Sequence, residues 1–169
     1  MLQRANYFTN SHPGGYALFM PGTYSQILLH IVFSTKHRHP FITPELAARL
    51  YPFIGGVIRD EKGTLFDIGG VHDHVHLYLR WRTDGAVADL MRNVKARSSK
   101  WIHESMPELK QFAWQDGYSV FSVSKSQEPA VKRYIATQAE HHRTMDFKSE
   151  LLKLLVAHGS EFDERYVFD

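Results

Sequence analysis

Two histidines separated by one residue carry the strongest chemical signal in this sequence. They are His74 and His76, in a run that begins at Gly70. If this run is a β-strand, both side chains lie on one face, with Cα atoms about 6–7 Å apart, while Val75 and Leu77 point to the other face. Two neutral imidazoles placed in this way can bind one divalent cation. A polar face on a half-exposed strand, in a chain with 11 histidines, is the alternative that needs no metal.

A second polar pair lies downstream, in a segment predicted to be helical over 128–142. Ser126 suits the N-cap, and Pro129 suits the first turn, where a missing N–H costs nothing. Tyr134 and Gln138 are four residues apart, so they are neighbours on one helix face. A tyrosine hydroxyl can act as a nucleophile, and a carboxamide oxygen can be a third metal ligand. Taken alone, the same residues are more typical of a half-buried aromatic and a solvated helix residue than of a catalytic pair.

Together these residues resemble the single-tyrosine HUH transposases, which move insertion sequences as single-stranded DNA, and their REP-associated relatives. The resemblance covers about residues 20–150. Besides the histidine strand and the tyrosine helix, it includes the blocks at 30–38, 69–70, 98–101, 114–118 and 121–124. His72 departs from the family pattern, because the family more often has a non-ligand residue there, and it could suggest a three-histidine site.

The resemblance implies a function and a site. It implies that His74, His76 and Gln138 hold Mg²⁺ or Mn²⁺ and that Tyr134 attacks a DNA phosphate to give a covalent 5′-phosphotyrosine. The expected activity is metal-dependent cleavage and strand transfer of single-stranded DNA, with a hairpin as the DNA partner. It also favours a homodimer, whose tyrosine helix could dock on its own subunit or on the neighbour.

Composition limits the possible classes of protein. With 169 residues, 43% of them hydrophobic and 13% aromatic, the chain can bury a real core. It has no cysteine and no apolar run of about 20 residues, so we expect no disulfide and no membrane partner. The resemblance implies a DNA-associated protein of the cytoplasm, with which the lack of cysteine agrees. We expect a flexible leader at 1–19, one nuclease domain at 20–160 and an acidic tail at 161–169.

The pattern of hydrophobicity predicts an α+β, ferredoxin-like fold. The predicted order is β-α-β-β-α-β-α, an antiparallel sheet with two helices on one face and the tyrosine helix added on the other. We predict strands over 25–34, 64–70, 71–80 and 119–124, and helices over 44–59, 84–105, 128–142 and 147–157, with Thr43 and Asp84 as N-caps. The fold alone does not indicate a function.

Basic residues form three groups along the chain, although the net charge is only +2. We expect the three groups to surround one site and to contact the phosphate backbone of DNA. The candidate DNA-binding residues are Lys36, Arg38, Arg92, Lys95, Lys100 and Arg133, together with Trp114. Trp114 is predicted to be exposed in a loop, where it could stack on an unpaired base. Trp101 and Phe121 are predicted to be core residues.

Two other interpretations remain open at the level of sequence. The three alternating histidines at 72–76 superficially resemble the histidine-triad nucleotide hydrolases, although Asp73 stands where that family has an apolar residue. A non-catalytic nucleic-acid-binding module of ferredoxin-like fold is the second. No dedicated base for Tyr134 is evident, and Lys132, Arg133 and His141 are the candidates.

Overall fold

A four-stranded antiparallel sheet forms the centre of the protein. The computed structural model describes residues 24–163, 165 and 167, so the predicted leader at 1–19 lies outside the described residues. The strands are β1 (Ile27–Ser34), β2 (Thr64–Val71), β3 (His74–Trp81) and β4 (Ser119–Ser122), in the spatial order β2-β3-β1-β4. Helix α1 (Pro44–Asp60) joins β1 to β2, and α2 (Val87–Ser105) joins β3 to β4. This is the ferredoxin-like arrangement, and the predicted fold class is confirmed.

One face of the sheet carries the main apolar core. Residues that alternate along β1 and β3 turn their side chains toward α1 and α2. The buried set includes Leu29, Ile31 and Phe33 of β1, Val75, Leu77 and Leu79 of β3, and Leu50, Ile54, Leu90 and Val94 of the two helices. Helix α1 begins as predicted, because the Thr43 side chain accepts a hydrogen bond from the Leu46 N–H at 3.2 Å.

Three shorter helices cover the opposite face. They are α3 (Glu128–Ala136), α4 (Gln138–His141) and α5 (Phe147–Ala157). Two small apolar clusters hold them to the sheet: Leu28, Tyr78 and Ile135 on one side, and Val32, Phe121, Phe147, Leu151 and Leu155 on the other. The histidines of β1 and β3 lie on this face, beneath the helices.

The predicted boundaries differ from the structure at three places that matter for the site. Strand β3 begins at His74 instead of Val71, because Val71 pairs with His74 and only two residues remain for the hairpin turn. The predicted tyrosine helix is divided at Thr137, whose hydroxyl donates to the Arg133 carbonyl at 2.9 Å. Gln127, not Ser126, precedes α3.

Two further boundaries were predicted wrongly. Helix α2 begins at Val87 after Ala86, and Asp84 instead lies 3.4 Å from the Arg82 guanidinium. Strand β4 ends at Ser122, two residues earlier than predicted. The tail after α5 also contacts the body, because Phe162 and Val167 pack against the apolar cluster around Leu151. Within the described part of the chain, none of the helices has the length and apolar character needed to cross a membrane.

Candidate active site

The two histidines of β3 are completely buried beneath the added helices. His74 and His76 both have 0% exposure. Gly69 of β2 pairs with His76, and a Cβ atom there would lie 2.8 Å from the carbonyl oxygen of Ile135. A glycine is therefore required at this position for α3 to approach the sheet closely. This approach brings Tyr134 to the histidines.

Glu150 of α5, which was not predicted from the sequence, lies at the centre of the site. One carboxylate oxygen, Oε2, is 3.3 Å from His74 Nε2, 3.5 Å from His76 Nε2 and 2.9 Å from His142 Nε2. The other oxygen, Oε1, accepts hydrogen bonds from the Tyr134 hydroxyl and from Gln138 Nε2, the latter at 2.8 Å. The side chain is only 2% exposed. A single buried carboxylate thus contacts every other polar group of the site.

Hydrogen bonds behind the two imidazoles orient them toward this centre. His74 Nδ1 is 2.7 Å from Asp73 Oδ1, which leaves Nε2 facing Gln138 Oε1 at 3.2 Å. His76 Nδ1 is 2.9 Å from His30 Nε2. Among the described residues, the buried Nε2 atom of His76 has no hydrogen-bond partner. Such supporting partners are typical of metal-binding histidines, because they fix the ring and the tautomer.

The charges of these groups influence one another strongly. Burial lowers the pKa of His74, but the carboxylates of Asp73 and Glu150 outweigh burial and raise this pKa to about 9. Burial lowers the pKa of His76 to about 4, and burial with the neighbouring His76 lowers that of His30 to about 3. Burial and the hydrogen bond to Glu150 raise the pKa of Tyr134 far above its ordinary value. The tyrosine is therefore a neutral phenol in the metal-free site.

The donor set fits a divalent cation. His74 Nε2 is 3.2 Å from Gln138 Oε1 and 3.3 Å from Glu150 Oε2, and His76 Nε2 is 3.5 Å from the same carboxylate oxygen. Within the described residues His76 Nε2 makes no hydrogen bond, although it lies 3.5 Å from Glu150 Oε2, and a buried polar atom without a hydrogen bond costs free energy. Imidazole nitrogen and side-chain oxygen are both ligands of first-row divalent ions. His74, His142 and Glu150 also offer three ligand atoms that lie within 4.8 Å of one another.

The structure brings together the four residues that were expected to form the catalytic and metal site. Tyr134, His74, His76 and Gln138 all contact Glu150. His72 is exposed in the hairpin turn, whereas His74 and His76 are completely buried, so the three histidines do not form one set as the histidine-triad interpretation requires.

The three candidates for a base differ in their positions. Lys132 lies 2.8 Å from Glu128, with which it forms an ion pair, and Arg133 is exposed. The ring of His141 is 5.0 Å from that of Tyr134, centroid to centroid. In the described part of the chain, Glu150 is the carboxylate that touches the tyrosine hydroxyl.

Contrary to the prediction, the basic residues do not all surround this site. Lys36 and Arg38 are exposed directly after β1, and Arg38 borders a cavity of about 360 Å³ beside His142. The three basic residues of α2 are on the other side of the sheet. Of these, Arg92 pairs with Asp89 at 2.8 Å, Lys100 lies 3.8 Å from Glu104, and Lys95 donates to the carbonyl oxygens of Gln115, Asp116 and Gly117.

The expectation that Trp114 is exposed is wrong. It is 6% exposed, and its ring packs edge-on against Phe33 and Phe112 at centroid distances of 4.7 and 4.9 Å. The indole N–H donates to the Ser98 hydroxyl at 2.9 Å. The reason is a β-bridge between Thr35 and Trp114, which extends β1 and draws the loop into the core.

The two aromatics expected in the core differ in burial. Phe121 is 3% exposed, as predicted. Trp101 is only partly buried, and its ring stacks on that of Phe53 at a centroid distance of 4.9 Å.

Known proteins resemble this chain both in sequence and in structure. The ISDra2 transposase TnpA of Deinococcus radiodurans is 24% identical over 118 residues, which cover 67% of this chain and 84% of that protein. A crystal structure of a candidate transposase from D. radiodurans R1 superposes with a TM-score of 0.59 at 24% identity, over 69% of this chain and 94% of the other. A REP-associated tyrosine transposase bound to a REP hairpin gives a TM-score of 0.56 at 16% identity, over 88% and 90% of the two chains.

The family assignment rests on the sequence profile of the IS200-like transposases, which matches residues 23–138. The matched region contains both histidines of β3, Tyr134 and Gln138. It ends before α5, so Glu150 lies outside it. This chain belongs to the IS200-like transposase family.

Proposed function

We propose that this transposase cleaves and rejoins single-stranded DNA through a covalent 5′-phosphotyrosine at Tyr134. The observation that carries the proposal is that the Tyr134 hydroxyl, His74, His76 and Gln138 all contact the buried carboxylate of Glu150. A nucleophile beside a set of metal ligands is the arrangement that phosphoryl transfer requires. The family membership supports the same reaction class.

We assign the cation to His74, His76 and Gln138. Mg²⁺ or Mn²⁺ is the expected ion. When bound, the ion would offset charge on the non-bridging phosphate oxygens and orient the phosphate. Asp73 and His30 would keep the two imidazoles in the required orientation, through contacts of 2.7 and 2.9 Å with their Nδ1 atoms.

The chemical step exchanges one phosphoester bond for another. The Tyr134 oxygen attacks phosphorus, the bond from phosphorus to the 3′-oxygen breaks, and that oxygen leaves as a 3′-hydroxyl after taking up a proton. The 5′-phosphate stays on the tyrosine. Because the number of phosphoester bonds is unchanged, a second 3′-hydroxyl can reverse the step and join a new strand without ATP.

Tyr134 must lose its proton for this step. Its pKa is raised by burial and by the hydrogen bond and negative charge of Glu150, and a divalent cation bound next to the hydroxyl would favour the ionised phenol. The Oε1 atom of Glu150 accepts the hydrogen bond from this hydroxyl and orients it. Burial alone would raise the pKa of Glu150, but its contacts with His74 and His76 hold this pKa far below its ordinary value, so the carboxylate is a weak base.

We expect a DNA hairpin to bind across three exposed basic residues near the face of the sheet that α3 to α5 cover. They are Lys36, Arg38 and Arg133. The hairpin-bound REP-associated transposase supports this kind of partner. Contacts to phosphate should make binding weaken as salt rises. The tyrosine helix lies over the sheet of its own chain, so the site does not need a second subunit to be complete. The homodimer remains a prediction.

The test is an adduct assay with a library of single-stranded hairpin oligonucleotides. Wild-type protein with Mn²⁺ should give a protein–DNA band that survives denaturation, and removal of the ion with EDTA should abolish it. Tyr134→Phe should give no band. Tyr118→Phe is the matched control, because Tyr118 is 37% exposed and away from the histidines, and it should react like wild type. An adduct that persists in Tyr134→Phe would contradict the proposal.

A further inference from the structure

We infer that Glu150 is itself a ligand of the metal ion and that its carboxylate bridges the ion and the nucleophile Tyr134. The inference rests on the proposed function, which it deepens by adding an anionic ligand from α5 to the three residues assigned above. Its evidence is the position of the Glu150 carboxylate in the structure, because Glu150 belongs to none of the motifs found in the sequence.

The positions of the carboxylate oxygens carry the inference. Two atoms bound to the same ion at about 2.1 Å lie about 3.0 Å apart at an octahedral edge and about 3.4 Å apart at a tetrahedral edge. Oε2 of Glu150 is 2.9, 3.3 and 3.5 Å from the Nε2 atoms of His142, His74 and His76. These separations fall in the range of neighbouring ligands on one ion, and the ligand atoms of His74, His142 and Glu150 all lie within 4.8 Å of one another. The 2.9 Å contact to His142 is also that of a hydrogen bond.

The two oxygens of Glu150 face different groups. Oε2 faces the three imidazoles, whereas Oε1 accepts from the Tyr134 hydroxyl and from Gln138 Nε2. A carboxylate that binds an ion through Oε2 can therefore keep its hydrogen bond to the nucleophile through Oε1. The contact would hold the tyrosine oxygen next to the ion while Gln138 turns its own Oε1 toward His74, at 3.2 Å.

The burial of Glu150 also requires a compensating charge. The residue is 2% exposed and lies on the same side of α5 as the buried residues Phe147, Leu151 and Leu155. A buried carboxylate without sufficient positive charge strongly destabilises a fold. Three imidazoles face it, of which His74 is held protonated at neutral pH by Asp73 and Glu150; a cation bound by neutral His74 and His76 would replace that charge beside the carboxylate. A site that includes a carboxylate ligand also binds the harder ions Mg²⁺ and Mn²⁺ better than a site made of nitrogen ligands alone.

The alternative is that Glu150 only holds the helix and the tyrosine in place. In that case its removal would lower stability and activity but leave the affinity for metal unchanged. Metal binding measured without DNA separates the two roles, because it does not depend on the reaction.

The test is titration calorimetry of the full chain with MnCl₂, without DNA. Glu150→Gln keeps the size of the side chain and an acceptor for Tyr134 but removes the charge. We expect its Kd for Mn²⁺ to be at least about tenfold higher than that of wild type. Glu140→Gln is the matched control, because the Glu140 side chain is 73% exposed and pairs with Arg143 at the surface, and it should bind as wild type does.

A second measurement covers the case in which Glu150→Gln folds poorly. Hydrogen exchange of wild-type α5 amides should slow when Mn²⁺ is added, because a ligand on α5 ties that helix to the ion. Equal Mn²⁺ affinity in wild type and Glu150→Gln, or α5 exchange that is indifferent to Mn²⁺ at saturation, would overturn the inference. If wild type itself binds no Mn²⁺, the proposed metal-dependent function fails with it. If only the Glu150 results fail, the metal site of His74, His76 and Gln138 stands.

Discussion

Strand β3 is buried on both faces of the sheet, but the two faces differ in kind. On β3, Val75, Leu77 and Leu79 pack into the core under α1 and α2, whereas His74 and His76 turn the other way, under α3 to α5. All five residues are completely buried. One strand therefore contributes apolar residues to one layer and imidazoles to the other. The strand period of two residues makes this separation possible.

The difference shows where stability and function lie in the molecule. The apolar face stabilises the fold, since each fully buried large apolar side chain contributes about 1.5–3 kcal/mol. The polar face includes a buried carboxylate and, within the described residues, a buried His76 nitrogen without a hydrogen-bond partner. Such groups cost free energy, which a bound ligand can offset. The comparison predicts opposite behaviour for substitutions on the two faces.

The largest effect on stability is expected at Leu77. Leu77→Ala should reduce the free energy of unfolding by about 2–5 kcal/mol, because it leaves a cavity in a completely buried core. Chemical denaturation measures this loss. The increase in Tm caused by Mn²⁺ should be preserved, since Leu77 faces α1 and α2. Loss of that increase would show that the two faces are not independent.

The neighbouring residue should behave in the reverse way. His76→Gln should change the stability of the metal-free protein less than Leu77→Ala does, because one unsatisfied buried nitrogen is removed with the ring. The stabilisation by metal, about 2.7 kcal/mol at a concentration one hundred times the Kd, should disappear. His72→Gln is the control and should keep it, since His72 is exposed in the turn. Equal losses in both variants would contradict the two-histidine site.

The pH dependence should report the polar face. His30 and His76 have pKa values lowered to about 3 and about 4 by burial, so below about pH 6.5 the unfolded chain takes up protons that the folded chain does not. The metal-free protein should lose stability as pH falls from 6.5 toward 4. His74, with its pKa raised to about 9, contributes stability that is lost as pH rises from 6.5 through 9. Thermal unfolding in EDTA as a function of pH measures both losses of stability. His30→Gln should make the loss between pH 6.5 and 4 smaller. If the loss of stability between pH 6.5 and 4 were the same in His30→Gln as in wild type, the buried histidines would not be its cause.

The smallest effect is expected at the edge of the apolar face. Trp114→Phe keeps an aromatic ring against Phe33 but removes the hydrogen bond from the indole N–H to Ser98. We expect a loss of about 1 kcal/mol and no change in DNA affinity, because this side chain is buried. Weaker DNA binding with unchanged stability would instead restore the idea that Trp114 stacks on a base.

The elements that local sequence controls were predictable. Thr43 caps α1 because a hydroxyl directly before Pro44 satisfies a free N–H of the first turn. The placement of His74 and His76 on one face follows from the strand period alone. The break at Thr137 was missed because continuous helical spacing over 128–142 gives no sign of a hydroxyl that bonds back to a carbonyl.

The centre of the site depended on contacts that are distant in sequence. Glu150 is 76 positions after His74 in the numbering and reaches it only because α5 docks on the sheet. One signal was present: Glu150 lies three residues after Phe147 and directly before Leu151, within the apolar stripe of a short helix. A charge in such a stripe indicates a buried partner. The burial of Trp114 had no comparable local sign, since it results from pairing with Thr35.

The central claim is that the chemistry is carried by the polar face through Tyr134. The most direct test is peptide mapping by mass spectrometry of the adduct formed from a single-stranded hairpin substrate with Mn²⁺. We expect the downstream DNA fragment to be attached through its 5′-phosphate to the peptide that contains Tyr134, with a free 3′-hydroxyl on the upstream fragment. Attachment to a histidine or to Tyr118, or cleavage by water with no adduct, would contradict the account.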